Sequence, residues 1–478
     1  MNHIYAVEVN PGIVSLVRDY STYDGGIYKD YSNVHVNVDE GRSYVRRSNQ
    51  RYDIIMLDLP VTKTSQGTFG YALAENYLFT TDSFKDYIDH LDDNGFLAII
   101  AHSQLEIYRL ISIAFKVLGA QGLSAQEIMD RIAVVGGMDA NHNHSALPIF
   151  MLKKTPITQD QSSLINVKAA QLGLMASFVP YSNSETYASF DPVLKALYDS
   201  TPIEQLISSA PFDMTASTDD NPFFYKFDLG IPSTLLPLFA GAVVLSVVVS
   251  ILYMNNRRRR ETIYSNDTLK VLKSKYSMFR LFYFASIGLG FMLIEVALIQ
   301  KFVLFLGQPT FAIAVSLFAL LLASGLGSFS SRKWRDGKEH NAFKVALVIA
   351  VITIAYILAL PFVFNAFLSY TPIARFVISF ALIFPIGFLM GMPFPTILGH
   401  FRKESENDVA WMWCINGAFS VLGGVFALIV AMLSGYNIVL LSGALAYLGV
   451  FLAGRIHEQN NAPGKVKWVN PRKMQSRK

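Results

Sequence analysis

Residues 1–14 read MNHIYAVEVNPGIV. The run HIYAVEV (3–9) has the composition of a short β-strand and carries an acid, Glu8, close to its end. Asn10-Pro11-Gly12 then makes a turn, and a helix is expected to follow over about 12–20. Strand, turn and helix are the first half of a βαβ unit, with Glu8 at the carboxyl end of the strand. Sheets of that kind hold their ligands beyond this end. The pattern recurs downstream. VHVNVDE (34–40) leads into GRSYVRR (41–47), and YDIIMLDL (52–59) precedes a long loop and a helix over 81–91. GFLAIIA (95–101) precedes an amphipathic helix over 104–118. RIAVVGG (131–137) and ALPIFMLKK (146–154) then predict an antiparallel closing pair. Apolar strands alternating with helices argue for a doubly wound α/β sheet.

The carboxyl ends of these strands supply Glu8, Asp39-Glu40-Gly41 and Asp58. One acid at a strand end is an ordinary helix cap. Three such acids in successive β–α turns predict a site. A carboxylate at Glu8 can accept both hydroxyls of a ribose. The Asp39-Glu40 turn can accept from an adenine amino group, with Gly41 allowing the backbone close. Asp58, at the mouth of the sheet, can face a cationic sulfonium or amine.

The second half of the chain is of another kind. The whole is 52% hydrophobic and only 16% charged, with a mean hydropathy of +0.34. Residues 1–228 carry 16 Lys+Arg against 27 Asp+Glu, a net −11, whereas residues 229–478 carry 24 against 9, a net +15. Seven stretches, about 231–254, 279–305, 310–330, 342–368, 374–400, 409–432 and 437–455, are long enough to cross a bilayer. The basic residues gather in alternate connections: Arg257–Arg260 and the lysines up to 275, Arg332 to Lys338, Arg402 and Lys403, and the tail. That alternation reads as membrane topology with the basic loops in the cytoplasm, so a nucleic-acid partner is not expected. A single Cys414 excludes an intrachain disulfide and any CxxC site. No cleavable signal peptide is read at the start.

Within the spans, Glu295 lies near the middle of IGLGFMLIEVALIQKF, where an ionised side chain is expensive. It is either part of a polar membrane site or a hydrogen bonder between helices. Lys301 is expected to snorkel. Gly387 and Gly391 form a small-xxx-small contact, Pro393 and Pro395 break the same helix, and Asn416 is an interhelical hydrogen bonder. His142 and His144, two apart in MDANHNHSALP, are expected to be solvated, and no metal site is expected.

EVNPGIV, VDEGRSYVRR, YDIIMLDLP and ENYLFTTDSFKDYIDHLDDNGFLAII resemble the spermidine synthase (polyamine aminopropyltransferase) domain, in the branch fused to membrane segments. STDDNPFFYKF (217–227), GLGFMLIEVALIQKFVLFLGQPTFA, MGMPFP and INGAFSVLGG resemble the rest of that branch. The resemblance implies a class I methyltransferase-like, Rossmann-type fold. It further implies aminopropyl transfer from decarboxylated S-adenosylmethionine to a small amine or a membrane-associated substrate. Glu8 would hold the ribose, Asp39, Glu40 and Gly41 the adenine side, and Asp58 would be the catalytic acid. The family's second acid, three residues after Asp58, is Val61 here, and Glu75 is the expected substitute among Tyr71, Glu75, Asn76 and Tyr77. Losing that base should lower the rate by roughly 10²–10⁴. The family's first strand and GxGxG loop would precede Met1. The domain is therefore expected to be incomplete, either as a truncated product or as one part of a split pair whose partner chain supplies that strand.

The organisation expected is an adenosyl-binding domain over 1–155, a linker with a small helical extension over 156–228, an all-α membrane domain over 229–456, and a basic tail. Seven spans with a cytoplasmic tail place residues 1–228 outside, whereas an adenosyl cofactor places them in the cytoplasm; the cytoplasm is the expected side. Two other functions fit the sequence. One is a transport or scaffold protein whose α/β domain has lost catalysis. The other is a plain S-adenosylmethionine-dependent methyltransferase.

Overall fold

The computed structural model describes residues 2–59, 75–138, 144–174, 176–182, 191–198, 200–261, 267–307, 309–334, 340–402 and 406–461. The chain divides into two units, Met1–Thr234 and Leu235–Lys478.

In the first unit, β1 (Ile4–Glu8) pairs in parallel with β2 (Val34–Val38). Between them runs α1 (Pro11–Asp19), which begins within the expected turn: the Asn10 side chain accepts from Gly12 N at 2.9 Å and Pro11 opens the helix. A short turn of helix, α2 (Ser21–Asp24), follows. After β2 comes α3 (Gly41–Arg47), then β3 (Tyr52–Asp58). Helix α4 (Thr81–His90) leads into β4 (Leu91–Ile100), which lies parallel to β3. Thr80 and Ser83 close a capping box on α4, each side chain accepting from the other's backbone N–H. Helices α5 (Gln104–Gly119) and α6 (Ala125–Met129) precede the antiparallel pair β5 (Ile132–Met138) and β6 (His144–Lys153). Strand β6 also lies antiparallel to β4. Gly136, at φ 88°, makes a bulge in this pair that a side chain would block, since a Cβ there would stand 2.7 Å from the Leu147 carbonyl oxygen. The unit ends with α7 (Gln159–Gln171), the three-residue strand β7 (Ala176–Phe178), α8 (Pro192–Tyr198) and α9 (Ile203–Ser209).

One continuous sheet was the expectation, and the structure has two. Strands β1 and β2 form one sheet; the other has the order β3-β4-β6-β5-β7, mixed in direction. Among the described residues β1 pairs only with β2, and β3 only with β4, so no backbone ladder joins the two sheets. Side chains do meet: the rings of Tyr5 and Tyr52 stand edge to face, 6.0 Å apart. Strand β7, too short to show a periodicity, was not read in the sequence. The core lies under the larger sheet, where Phe84 of α4, Leu97 of β4, Leu110, Ile111 and Ala114 of α5, and Phe150 of β6 are all fully buried. Each such large apolar side chain contributes about 1.5–3 kcal/mol on burial. No residue of β1 or β2 belongs to this core. On β3 the alternation is one-sided: Ile55 is 9% exposed, whereas Ile54 and Met56 on the other face are 42% and 59% exposed.

The second unit is all helical: α10 (Leu235–Glu261), α11 (Asp267–Leu306), α12 (Pro309–Ser330), α13 (His340–Phe367), α14 (Pro372–Met390), α15 (Pro393–Arg402), α16 (Glu406–Ser434) and α17 (Tyr436–Asn461). Among the described residues seven segments are long and apolar enough to cross a membrane, and α14 with α15 make one of them, Pro372–Gly399. The helix breaks there at Gly391-Met392, before Pro393, whose ring cannot sit in a helix interior without removing a hydrogen bond. Gly391 lies against the Ser324 carbonyl and Gly327 against the Phe388 carbonyl, so α12 and α14 cross at backbone distance. Asn416 of α16 donates to the Phe284 carbonyl of α11 at 3.2 Å, the interhelical bond its sequence position suggested.

Candidate functional site

Parallel pairing brings two of the acids together. Glu8 stands opposite Val38, and the Asp39 N–H donates to the Glu8 carbonyl at 3.1 Å. Glu8 is half-buried, and its Oε1 accepts from Asn10 N at 2.8 Å. Asp39 Oδ1 accepts from Glu40 N at 2.9 Å, and its Oδ2 is paired with Arg47. Glu40 caps α3, its two oxygens accepting from Arg42 N at 3.0 Å and Ser43 N at 2.7 Å. Gly41 begins that helix, with open space where a side chain would stand.

Asp58 ends β3 opposite Ile100 and is exposed. Leu59, next to it, has φ 43°, a left-handed conformation that a branched residue adopts only under constraint. The end of β4 supplies groups that the sequence reading missed. Glu106, 2% exposed, accepts from His102 N at 2.9 Å and stands 3.5 Å from His102 Nδ1. His102 lies two positions beyond Ile100, the last residue of β4, so Asp58 and His102 stand on adjacent strand ends. Val61 and Tyr71 lie outside the described residues, as does His142. Glu75 is half-buried. It begins a strap that runs along 217–222, where Asn76 N donates to the Pro222 carbonyl at 2.7 Å and Thr81 N to that of Ser217 at 2.9 Å.

The strap is held by Arg42, which is 2% exposed. Its guanidinium donates to both oxygens of Asp219, at 2.6 and 2.9 Å, to Asp86 at 2.7 Å and to the Tyr77 carbonyl at 3.0 Å. Burial opposes the charge, but Asp219 and Asp86 more than offset it and hold Arg42 above its ordinary value. STDDNPFF therefore has a role no local pattern could give: its Asp219 is 177 residues from Arg42. A second clamp joins Asp213 to Lys226 at 2.9 Å and to Arg109 at 3.3 Å. Burial raises the Asp213 carboxyl, yet Arg109, Thr215 and Lys226 outweigh it and bring the carboxyl below its ordinary value.

In the helical unit Glu295 is 8% exposed, within the span Ser277–Leu306. A buried ion cluster stands elsewhere, with Arg280 3.0 Å and Arg257 3.4 Å from Asp408. Among the described residues no three His, Cys, Asp or Glu side chains gather as a metal site.

No family model matches the chain, and no curated protein matches it.

Proposed function

We propose that the first unit is an adenosyl-binding, spermidine synthase-like transferase domain carried by a multi-pass membrane protein. The observation that carries this reading is the strand order. Counted as second and third strands, β1 and β2, followed by β3 and β4 as fourth and fifth, fit a doubly wound order 3-2-1-4-5 with position 1 open. In this reading that position would fall between the two sheets, which no backbone ladder joins among the described residues. Its flanking strands would then be β1, which ends on Glu8, and β3, which ends on Asp58, with Asp39 beside Glu8 at the end of β2.

The donor set suits an adenosyl group. One Glu8 oxygen is engaged by Asn10 N, and each carboxylate oxygen has a second lone pair. Glu8 would accept from the ribose hydroxyls and Asp39 from the adenine side. Asp58 would bind the amine that attacks the carbon next to sulfur. Among the described residues no strand pairs with the second edge of β1 or of β3, and such edges suit a strand that a complementing chain would insert.

The test is calorimetric titration of decarboxylated S-adenosylmethionine into the full chain, alone and with a peptide carrying one apolar strand and a glycine-rich loop. Binding under either condition, lost in Glu8→Ala, supports the reading; absence of binding under both overturns it. Methyl transfer in place of aminopropyl transfer would give the methyltransferase alternative. A buried Glu295 favours a second reading, in which the membrane unit transports and the α/β unit is a docking module. Loss of phenotype in Glu295→Gln together with an unaffected Asp58→Asn would support it over the transferase.

A further inference from the structure

We infer that His3 and His35 form a site for a divalent transition-metal ion of the zinc and copper class, on one face of the β1–β2 sheet. Tyr5 stands opposite His35 in the parallel register. His3, two residues before Tyr5, points to the same face because side chains alternate along a strand. The His3 Nδ1 and His35 Nε2 atoms are 3.3 Å apart. Their rings are stacked, with centroids 5.5 Å apart and planes 23° apart. The Tyr5 ring lies 5.0 Å over His35 and limits its rotation. Both histidines are exposed, so an ion and its waters reach them.

Zinc binds imidazole nitrogen at about 2.0–2.1 Å. Two nitrogens 3.3 Å apart then subtend about 104–111° at a shared ion, close to tetrahedral. Neutral imidazole is the ligand, so each ring offers one lone pair and keeps its proton on the other nitrogen. Water completes the coordination.

The placement gives the ion a purpose that does not depend on the transferase reading. Among the described residues the β1–β2 sheet contributes nothing to the main core and has no ladder to the larger sheet. A two-stranded sheet is marginal in water. An ion shared by the strands joins them and favours the folded form by mass action. The pair was not legible in the sequence, since its members are 32 residues apart.

The test uses the full chain in detergent, stripped with chelator, in a His142→Gln/His144→Gln background that removes the two histidines standing two apart in the sequence. Zinc alone is titrated by calorimetry, and amide exchange of residues 4–8 and 34–38 is followed with and without it. The expected result is one zinc equivalent whose affinity falls at least tenfold in His3→Gln and in His35→Gln, with zinc slowing exchange in both strands. Copper(II) bound to the background chain should show two nitrogen ligands by electron paramagnetic resonance, a reading that needs no further variant. Zinc affinity unchanged by both substitutions, exchange unaffected by zinc, or copper without two nitrogen ligands would overturn the site.

Discussion

Arg42 is the residue on which the rim of the first unit turns. It is buried, bidentate to Asp219 and bonded to Asp86. Removing one partner of a buried pair leaves the other charge uncompensated, so Arg42→Ala should lower unfolding stability by about 3–5 kcal/mol in denaturant titration. Arg42→Lys should recover little of it, because an ammonium cannot reproduce the planar fork. Asp213 gives the unit a pH response. Its carboxyl is held below the ordinary value, so the fold favours its ionised form. The stability it contributes is complete above the unfolded pKa and is lost as pH falls through the lower, folded value. Melting temperature against pH should therefore drop on the acid side, and Asp213→Asn should flatten that drop. A chain in which the two slopes are equal would remove Asp213 from the account.

At the scale of elements, the helix starts were written locally. Asn10 before α1 and Thr80 before α4 cap their helices through contacts two or three residues away, which is the range a sequence window covers. Thr80→Ala should cost about 0.5–2 kcal/mol for the cap, and more because Thr80 Oγ1 also donates to Asp219 at 2.7 Å. Glu40 shows the converse difficulty. Its position after a strand reads as a ligand acid, and its oxygens accept from the first N–H groups of α3; both descriptions fit one residue type, and only geometry separates them. In the helical unit Gly327 and Gly391 set how closely α12 and α14 approach. Gly391→Leu should separate the two helices and lower the melting temperature in detergent, whereas Gly325→Ala, with open space around it, should not.

Each whole unit has its own test. In the first, the main core holds no residue of β1 or β2, so amides of β4, β5 and β6 should exchange slowly and those of β1 and β2 much faster. Equal protection in both sheets would mean that the break is not an energetic boundary. In the second, the segments Leu235–Arg259 to Tyr436–Gln459 suit a multi-pass membrane protein. The basic connections at 255–278, 331–341 and 401–408 are expected on the cytoplasmic side. Cysteines placed in them, in a Cys414→Ala background, should resist an impermeant maleimide in intact cells and react in inverted vesicles.

The sequence alone determined the elements with a strong period. These are the acid-tipped strands, the antiparallel closing pair, the seven apolar segments and the division near residue 230. Each depends on side chains within one or two turns of one another or on the apolar length of one helix. Only the tertiary structure decided the split into two sheets, the strap of 75–81 along 217–222, the Arg42–Asp219 and Arg280–Asp408 pairs and the meeting of His3 with His35. Those depend on groups brought together from tens to more than a hundred residues apart. Their energy comes from burial and pairing that no local window contains.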